Sequence, residues 1–322
     1  MPLLFFYFAL GFSFAFSGLS LQLRLINVYG ATPAELTTLW GFVSIPWFFK
    51  PLYGVLSDSC PIAGYHRRPY ITIGLCIASF VWIFMTLQFE NLNTVQTMTC
   101  IVVQSLFFCV ADVCADGLMV ANVKSEKEEE AGKLQTKVWT TRALGGIIAT
   151  YSGTKFNAAF GTKAVFAASS VLPLIAAAAI WWAPEARAVA AEVLPFKQRL
   201  QSTMAGVWNT LKHARYLVVF CFVFAATPSF SSALFVFLTT KLKYSMTQLA
   251  NLDILGSFCG IFGTVLFYSC VKRINPKYSI LAGLILQAVV RSSLIYVVTD
   301  PNWALTHKIS QAILYLENCT MS

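Results

Sequence analysis

The chain has 322 residues, of which 57% are hydrophobic and only 11% are charged, and its mean hydropathy is +0.67. Soluble globular proteins carry about 25% charged residues, so this composition excludes a soluble chain and indicates a helical membrane protein. The formal net charge is +9 at pH 7, but the basic residues are scattered over short loops, which argues against a nucleic-acid partner. The protein is therefore expected in a lipid bilayer.

Apolar windows of about 20 residues predict nine transmembrane helices and a tenth that begins near residue 307. In chain order the nine cover residues 2–26, 35–58, 70–89, 95–122, 137–156, 163–183, 216–240, 248–271 and 277–298. The loops after even-numbered helices hold fourteen Lys and Arg residues, and the other loops hold five. Because basic residues concentrate in short cytosolic loops, the even-to-odd loops and the N-terminus are predicted to face the cytosol or its equivalent.

One loop is longer than the others and suggests how the chain is divided. Residues 1–183 are predicted to form a bundle of six helices, 184–215 a cytosolic linker, and 216–322 an incomplete second bundle. Apolar residues recur in the linker at spacings of three and four beside basic residues, which predicts an amphipathic helix on the inner membrane surface.

The second half of the chain repeats the first in weak form. Gly54 and the basic pair that follows it recur about 209 residues later as Gly263 and another basic pair, which is typical of parallel six-helix repeats. The expected fold class is all-α, a polytopic helical bundle of the major facilitator type, with about 9–10 of 12 transmembrane helices present. The protein is expected to be integral and multi-pass, in the plasma membrane or an organelle membrane.

Four charged residues fall inside predicted transmembrane helices at similar depth: Lys50, Asp112, Asp116 and Arg142. A charge near the bilayer centre costs about 3 kcal/mol or more, so such residues normally face a cavity and find partners. At 1.5 Å per residue, Asp116 and Arg142 lie about 9 and 8 Å from the inner side, so they are level and could pair. Lys50 and Asp112 lie nearest the midplane. Either these groups bind substrate or protons, or they form a structural network.

A second group of charges lies at the inner end of the second predicted helix. Asp58 is followed across a short loop by Arg67 and Arg68. An acid and two bases placed there can bridge neighbouring helix ends and hold the cytosolic side in one of two states. The alternative is that the arginines only fix membrane topology.

The sequence around these residues resembles a known family. Residues 45–70 read IPWFFKPLYGVLSDSCPIAGYHRRPY, and they are similar to the signature of the folate/biopterin transporter family. Two further stretches agree with it, Ala111-Asp112-x-x-Ala115-Asp116-Gly117 and Gly132-x-Leu134-Gln135 leading to Arg142-Ala143-Leu144-Gly145-Gly146. The resemblance covers about residues 1 to 300 and implies transport of folate, biopterin or S-adenosylmethionine.

The resemblance gives the intramembrane residues chemical roles. A lysine or arginine suits the anionic glutamate tail of a folate, whereas a carboxylate can accept two hydrogen bonds from the pterin edge. Trp47 is placed to stack on the ring, and a buried carboxylate can carry a proton. Pro46 and Pro51 are expected to kink the second helix beside Lys50, where a cavity can form.

The leading hypothesis is a secondary active transporter that works by alternating access, is coupled to protons and is not an enzyme. The sequence has no phosphate-binding loop that would indicate use of ATP, and it predicts no metal site. No cofactor is expected. Two alternatives remain: an inactive, truncated copy of such a transporter, or an intramembrane enzyme that uses Asp112 and Asp116 as paired acids.

Overall fold

The computed structural model describes residues 2–123, 133–187, 195–225, 231–269 and 276–299. Within these ranges the regular structure is helical, apart from a single β-bridge between Ile62 and Tyr65. The helices are α1 Pro2–Asn27, α2 Pro33–Phe48, α3 Lys50–Ser59, α4 Arg68–Leu87, α5 Thr94–Val123, α6 Lys133–Ser169, α7 Val171–Ala179, α8 Phe196–His213, α9 Arg215–Ala225, α10 Ser231–Thr240, α11 Met246–Ser269 and α12 Pro276–Thr299. The all-α prediction is confirmed. The tenth predicted helix lies outside the described residues.

Among the described helices, four stretches are long and apolar enough to cross a membrane: Pro2–Asn27, Arg68–Leu87, Thr94–Ala121 and Leu134–Trp182. The first three match the first, third and fourth predicted helices. The last one holds the fifth and sixth, which the sequence analysis separated by a loop. Instead of a loop, the two helices meet within α6 at a kink at Gly161, whose φ of +79° is a backbone conformation that glycine adopts easily.

The second predicted helix is broken in two where prolines were expected to kink it. Pro46 and Pro51 have no backbone N–H, so the helix lacks one backbone hydrogen bond in each of two successive turns. Phe49 leaves helical geometry and joins α2 to α3, and Lys50 begins α3. The carbonyl oxygen of Pro46 accepts hydrogen bonds from the Phe49 N–H at 3.2 Å and the Cys109 thiol at 3.6 Å. This break places Lys50 beside α5.

Helices α1 and α6 pack closely because glycines line their interface. An added Cβ on Gly145 would overlap the backbone carbonyl of Phe8, and one on Gly153 would lie 2.5 Å from the carbonyl oxygen of Phe16. Small residues allow membrane helices to approach each other in this way. The approach of α6 to α1 fixes Arg142, whose backbone carbonyl lies over Gly11.

The main apolar core lies among α1, α4, α5 and α7, and it includes the fully buried Phe6, Ile71, Phe108 and Ile180. A smaller cluster joins α1 to α10 and α11 through Leu19, Leu238 and Leu249. The amide of Asn157 donates a hydrogen bond to the Met246 sulfur at 3.2 Å, which ties α6 to the start of α11. The helix expected in the linker is present as α8, and it packs against α3.

Candidate functional site

Lys50 is the centre of an ion-pair cluster between α3 and α5. Its ammonium nitrogen donates a hydrogen bond to Asp112 Oδ2 at 2.6 Å and lies 3.7 Å from Asp116 Oδ2. The two acids, four residues apart, share one face of α5, as expected from helix geometry. Their environments differ, because the Asp112 side chain is 3% exposed and the Asp116 side chain is 44% exposed. One carboxylate is therefore enclosed and the other is accessible.

Arg142 joins this cluster through Asp112. Its Nη1 atom lies 3.7 Å from Asp112 Oδ1, an oxygen that has no hydrogen-bond partner among the described residues. The pair considered between Asp116 and Arg142 does not form: within the described residues, Arg142 makes its ion pair with Asp112. Depth along a helix predicted that the groups lie level but could not give the direction in which each side chain points.

The partner of Asp116 was missed in the sequence. The Tyr7 hydroxyl, buried on α1, donates a hydrogen bond to Asp116 Oδ1 at 2.6 Å. Tyr7 lies about 8 Å from the start of α1, the depth estimated for Asp116 from the inner end of its own helix. That agreement in depth was a usable signal, but an uncharged phenol does not stand out in an apolar run.

Aromatic rings surround the two cations of the cluster. Lys50 Nζ lies 4.8 Å from the ring centroid of Trp47, and the guanidinium carbon of Arg142 lies 5.4 Å from that of Trp139. Trp47 is held in place because its indole N–H donates to Ser105 Oγ at 2.9 Å. The positive charges lie within the range of cation–π attraction, so the rings stabilise Lys50 and Arg142 beside the acids.

The cluster as a whole is electrically balanced when all four groups are ionised, with two cations and two carboxylates in contact. A buried charge that loses its partner is strongly unfavourable. An anion that approaches Lys50 or Arg142 must therefore compete with Asp112 or Asp116, and this competition links anion binding to the charge state of the acids. Within the described part of the chain, no three His, Cys, Asp or Glu residues are grouped closely enough to hold a metal ion.

The inner group of charges forms a separate site, which we call the latch: Asp58, Arg67, Arg68 and Glu185. The Arg67 guanidinium donates a hydrogen bond to Asp58. It occupies the space above Gly117, where a Cβ atom would overlap it. The glycine that follows Asp116 in the motif therefore makes room for Arg67, and it connects the latch to the helix that carries the cluster.

Glu185 was not singled out in the sequence, yet it holds the start of α4. Its carboxylate accepts hydrogen bonds from the backbone N–H groups of His66 at 3.0 Å, Arg67 at 2.7 Å and Arg68 at 3.0 Å. The first N–H groups of a helix have no partner within the helix and favour a negative charge. The side chain is 7% exposed, so the latch includes the segment after α7.

Arg68 and Tyr65 reinforce that attachment. The Arg68 guanidinium donates to the backbone carbonyl of Ala183, and its Nε lies 3.7 Å from Glu185 Oε2. A hydrogen bond from Arg187 lowers the pKa of the Tyr65 phenol, while burial and Glu185 oppose the shift. The gating residues expected from the sequence are thus brought together, but their central carboxylate comes from a distant part of the chain.

The fold resembles known membrane transporters. The xylose transporter XylE from E. coli, in a partially occluded inward-open conformation, aligns with a TM-score of 0.65 over 100% of this chain and 83% of its own, at 13% identity. A D-xylose-proton symporter aligns with a TM-score of 0.66 over 100% and 79%, at 12% identity. The chain therefore shares its fold with these proteins, and it is an integral, multi-pass membrane protein.

Comparison of the sequence with known families identifies the family of the chain. Residues 10–315 match the model of the BT1 family, so the chain belongs to the BT1 family. The Folate-biopterin transporter of Synechocystis sp. is 26% identical over 291 residues, which are 90% of this chain and 58% of that protein. Folate transporter 1 of Plasmodium falciparum is 24% identical over 258 residues, or 78% and 49%. The family resemblance is confirmed, and the chain spans about half the length of these relatives.

Proposed function

We propose that this protein moves folate, biopterin or a related pterin across a membrane by alternating access, with coupling to protons. The relatives named as folate or folate-biopterin transporters support the substrate class. The moving parts in this proposal are a bundle of residues 1–183 and a second bundle within 216–322, joined by the linker 184–215. The functional partners are the substrate, protons and the lipid bilayer.

The observation that carries the proposal is the accessible, charge-balanced cluster around Lys50. Its ammonium is paired with Asp112 and Asp116, while about a third of the Lys50 side chain remains exposed. A carboxylate on the substrate can replace an acid of the cluster as the partner of Lys50 if that acid takes up a proton. Proton and anion then bind together, which is the thermodynamic requirement for symport.

Within the cluster, Asp116 is assigned the proton and Asp112 the structural role. Asp116 is the more exposed acid, and Tyr7 can stay hydrogen-bonded to it after protonation. Asp112 is enclosed and contacts both cations, so it holds Lys50 and Arg142 in position. Trp47 supplies the aromatic face beside Lys50 on which a pterin ring can stack.

The latch is assigned the gating role. Its contacts join the ends of α3, α4 and α7 on the predicted cytosolic side, and none of them involves the cluster directly. A set of ion pairs that exists in one state and opens in the other shifts the populations of the two states without binding substrate.

The test is uptake of labelled folate, biopterin and S-adenosylmethionine by cells that express the chain, at two external pH values. Saturable uptake of a folate or pterin that increases at lower external pH, and that Lys50→Ala and Asp112→Asn abolish, is the expected result. Lys155→Ala serves as a control, because it removes an exposed lysine from α6. A chain that reaches the membrane and takes up none of the three compounds would contradict the proposal, either because the chain is an inactive copy or because its substrate belongs to another class.

A further inference from the structure

A small cavity, lined mainly by apolar surface with a few polar side chains, lies among α1, α2, α4 and α5, next to the Lys50 cluster. Its volume is about 90 Å³. Bulky rings form much of its wall, and hydroxyl and amide groups project among them. The polar side chains of the lining used below belong to Ser13, Trp82, Gln104 and Ser105.

Three polar groups in the wall of this cavity lack partners among the described residues. The Ser13 hydroxyl and the Trp82 indole N–H are completely buried and make no hydrogen bond. Gln104 is 7% exposed, and its side-chain amide has no hydrogen bond to any described group. Buried polar groups in folded proteins are nearly always hydrogen-bonded, so a polar occupant of the cavity would stabilise this arrangement.

The cavity shares a wall with the charged cluster. Ser105, in its lining, accepts the hydrogen bond from the Trp47 indole, and Lys50 lies over the same indole ring. Gln104 and Asp112 are eight residues apart on α5, a rise of about 12 Å. A single elongated molecule can therefore reach both places, with a charged part at Lys50 and an uncharged part at Gln104.

The size and chemistry of the cavity limit what enters it. A volume of 90 Å³ holds about three water molecules, which is less than an engineered 150 Å³ cavity that binds benzene, so one edge of a flat ring enters rather than a whole ring system. The Gln104 amide offers an acceptor and two donors, Ser13 offers a hydroxyl, and Trp82 offers a donor. These neutral groups match the alternating donors and acceptors on the edge of a nitrogen heterocycle.

We propose that this cavity receives the hydrogen-bonding edge of the substrate's flat heterocycle and that Gln104 determines specificity for it. The charged tail of the same substrate remains at Lys50. This assignment rests on the function proposed above, and it separates recognition of the ring from recognition of the tail.

The test is competition against labelled folate bound to the full chain in lipid nanodiscs. Biopterin represents the ring without an anionic tail, and p-aminobenzoylglutamate represents the tail without the pterin. Gln104→Leu is expected to raise the biopterin concentration needed for half-displacement about tenfold, the effect of one or two lost hydrogen bonds, and to leave p-aminobenzoylglutamate unchanged. Ser13→Ala should act in the same direction, by about threefold.

Gln88→Leu is the matched control, because Gln88 is exposed at the end of α4. Both competitors should displace labelled folate from this variant at the same concentrations as from the wild type. Thermal unfolding of each variant checks folding, and Leu in place of an unpartnered buried amide is expected to be tolerated. The proposal is overturned if Gln104→Leu shifts both competitors equally or shifts neither. If the wild-type chain fails to bind labelled folate at all, the proposed function itself is wrong.

Discussion

The Lys50 cluster and the latch contain the same kinds of charge but hold them in different ways. Each site has two basic and two acidic side chains, and in both an arginine or lysine lies against a carboxylate. In the cluster, every partner is another side chain. In the latch, Glu185 binds three backbone N–H groups, so its position is fixed by the start of α4.

This difference predicts different responses to change. A carboxylate held by backbone groups stays in place when a neighbouring side chain is altered, because the helix end still attracts it. Side chains that hold only one another lose their arrangement when any one of them is removed or exchanged for a ligand. The cluster is thus suited to binding and release, and the latch to holding the cytosolic helix ends in one of two states.

The largest effect is expected for Lys50→Ala. Two carboxylates then lose their nearest cation. Breaking a fully buried pair costs about 3–5 kcal/mol, and the partial exposure of Lys50 and Asp116 reduces this cost. Folate binding should be lost and the melting temperature should fall. The double variant Lys50→Ala with Asp112→Ala should recover part of the stability without recovering binding, measured by thermal unfolding and labelled folate in nanodiscs. Normal binding by Lys50→Ala would show that the cluster is only structural.

The next largest effect is expected for Glu185→Gln. The amide keeps the shape of the side chain but removes the charge, and hydrogen bonds to a charged group contribute about 1.5–3 kcal/mol each. A weaker latch should change the maximal uptake rate while the half-saturating concentration stays the same. A change confined to the half-saturating concentration would instead place Glu185 in substrate binding.

A smaller effect is expected for Gly117→Ala, because the added methyl group overlaps the Arg67 guanidinium. Displacing this group should break its bond to Asp58 and slow uptake. Combined with Asp58→Asn, the effect should be less than additive, since both changes disrupt one contact. Gly41→Ala is the control, as a Cβ there meets no atom within 4 Å. Full additivity in uptake rates would separate Gly117 from the latch.

The smallest effect is expected for Arg187→Ala. Its hydrogen bond lowers the pKa of the Tyr65 phenol, so removing it should raise that pKa toward the usual value. A depressed pKa stabilises the fold only above the pH at which the phenol ionises. Stability at neutral pH should therefore be unchanged, with a difference only in alkaline solution. Absorbance titration against a Tyr65→Phe reference measures the pKa, and an unchanged value would contradict the prediction.

The sequence predicted much of the helical fold and many of the charged site residues. Lys50 and Asp112 stand out because a charge in an apolar run is costly and needs a reason. The break in the second helix followed from Pro46 and Pro51. The direct passage from the fifth to the sixth helix was not predicted, because only the backbone shows that Gly161 turns the chain without a loop.

The missing members of each site are those that carry no unusual sequence signal. Tyr7 and Gln104 are uncharged residues within apolar helices, and their roles appear only where other helices place a carboxylate or a cavity beside them. Glu185 lies in a loop, where a carboxylate is ordinary. Its importance comes from the start of α4, which is more than a hundred residues earlier in the chain.

The sequence by itself determined the class of protein, its family and the depth of its charges, because apolar length, motif and helical rise can be measured along one chain. Only the tertiary structure decided that Arg142 meets Asp112 and that Tyr7 meets Asp116. The reason is geometric: sequence gives a residue's height on its helix, whereas the rotation and packing of neighbouring helices set which side chains face each other.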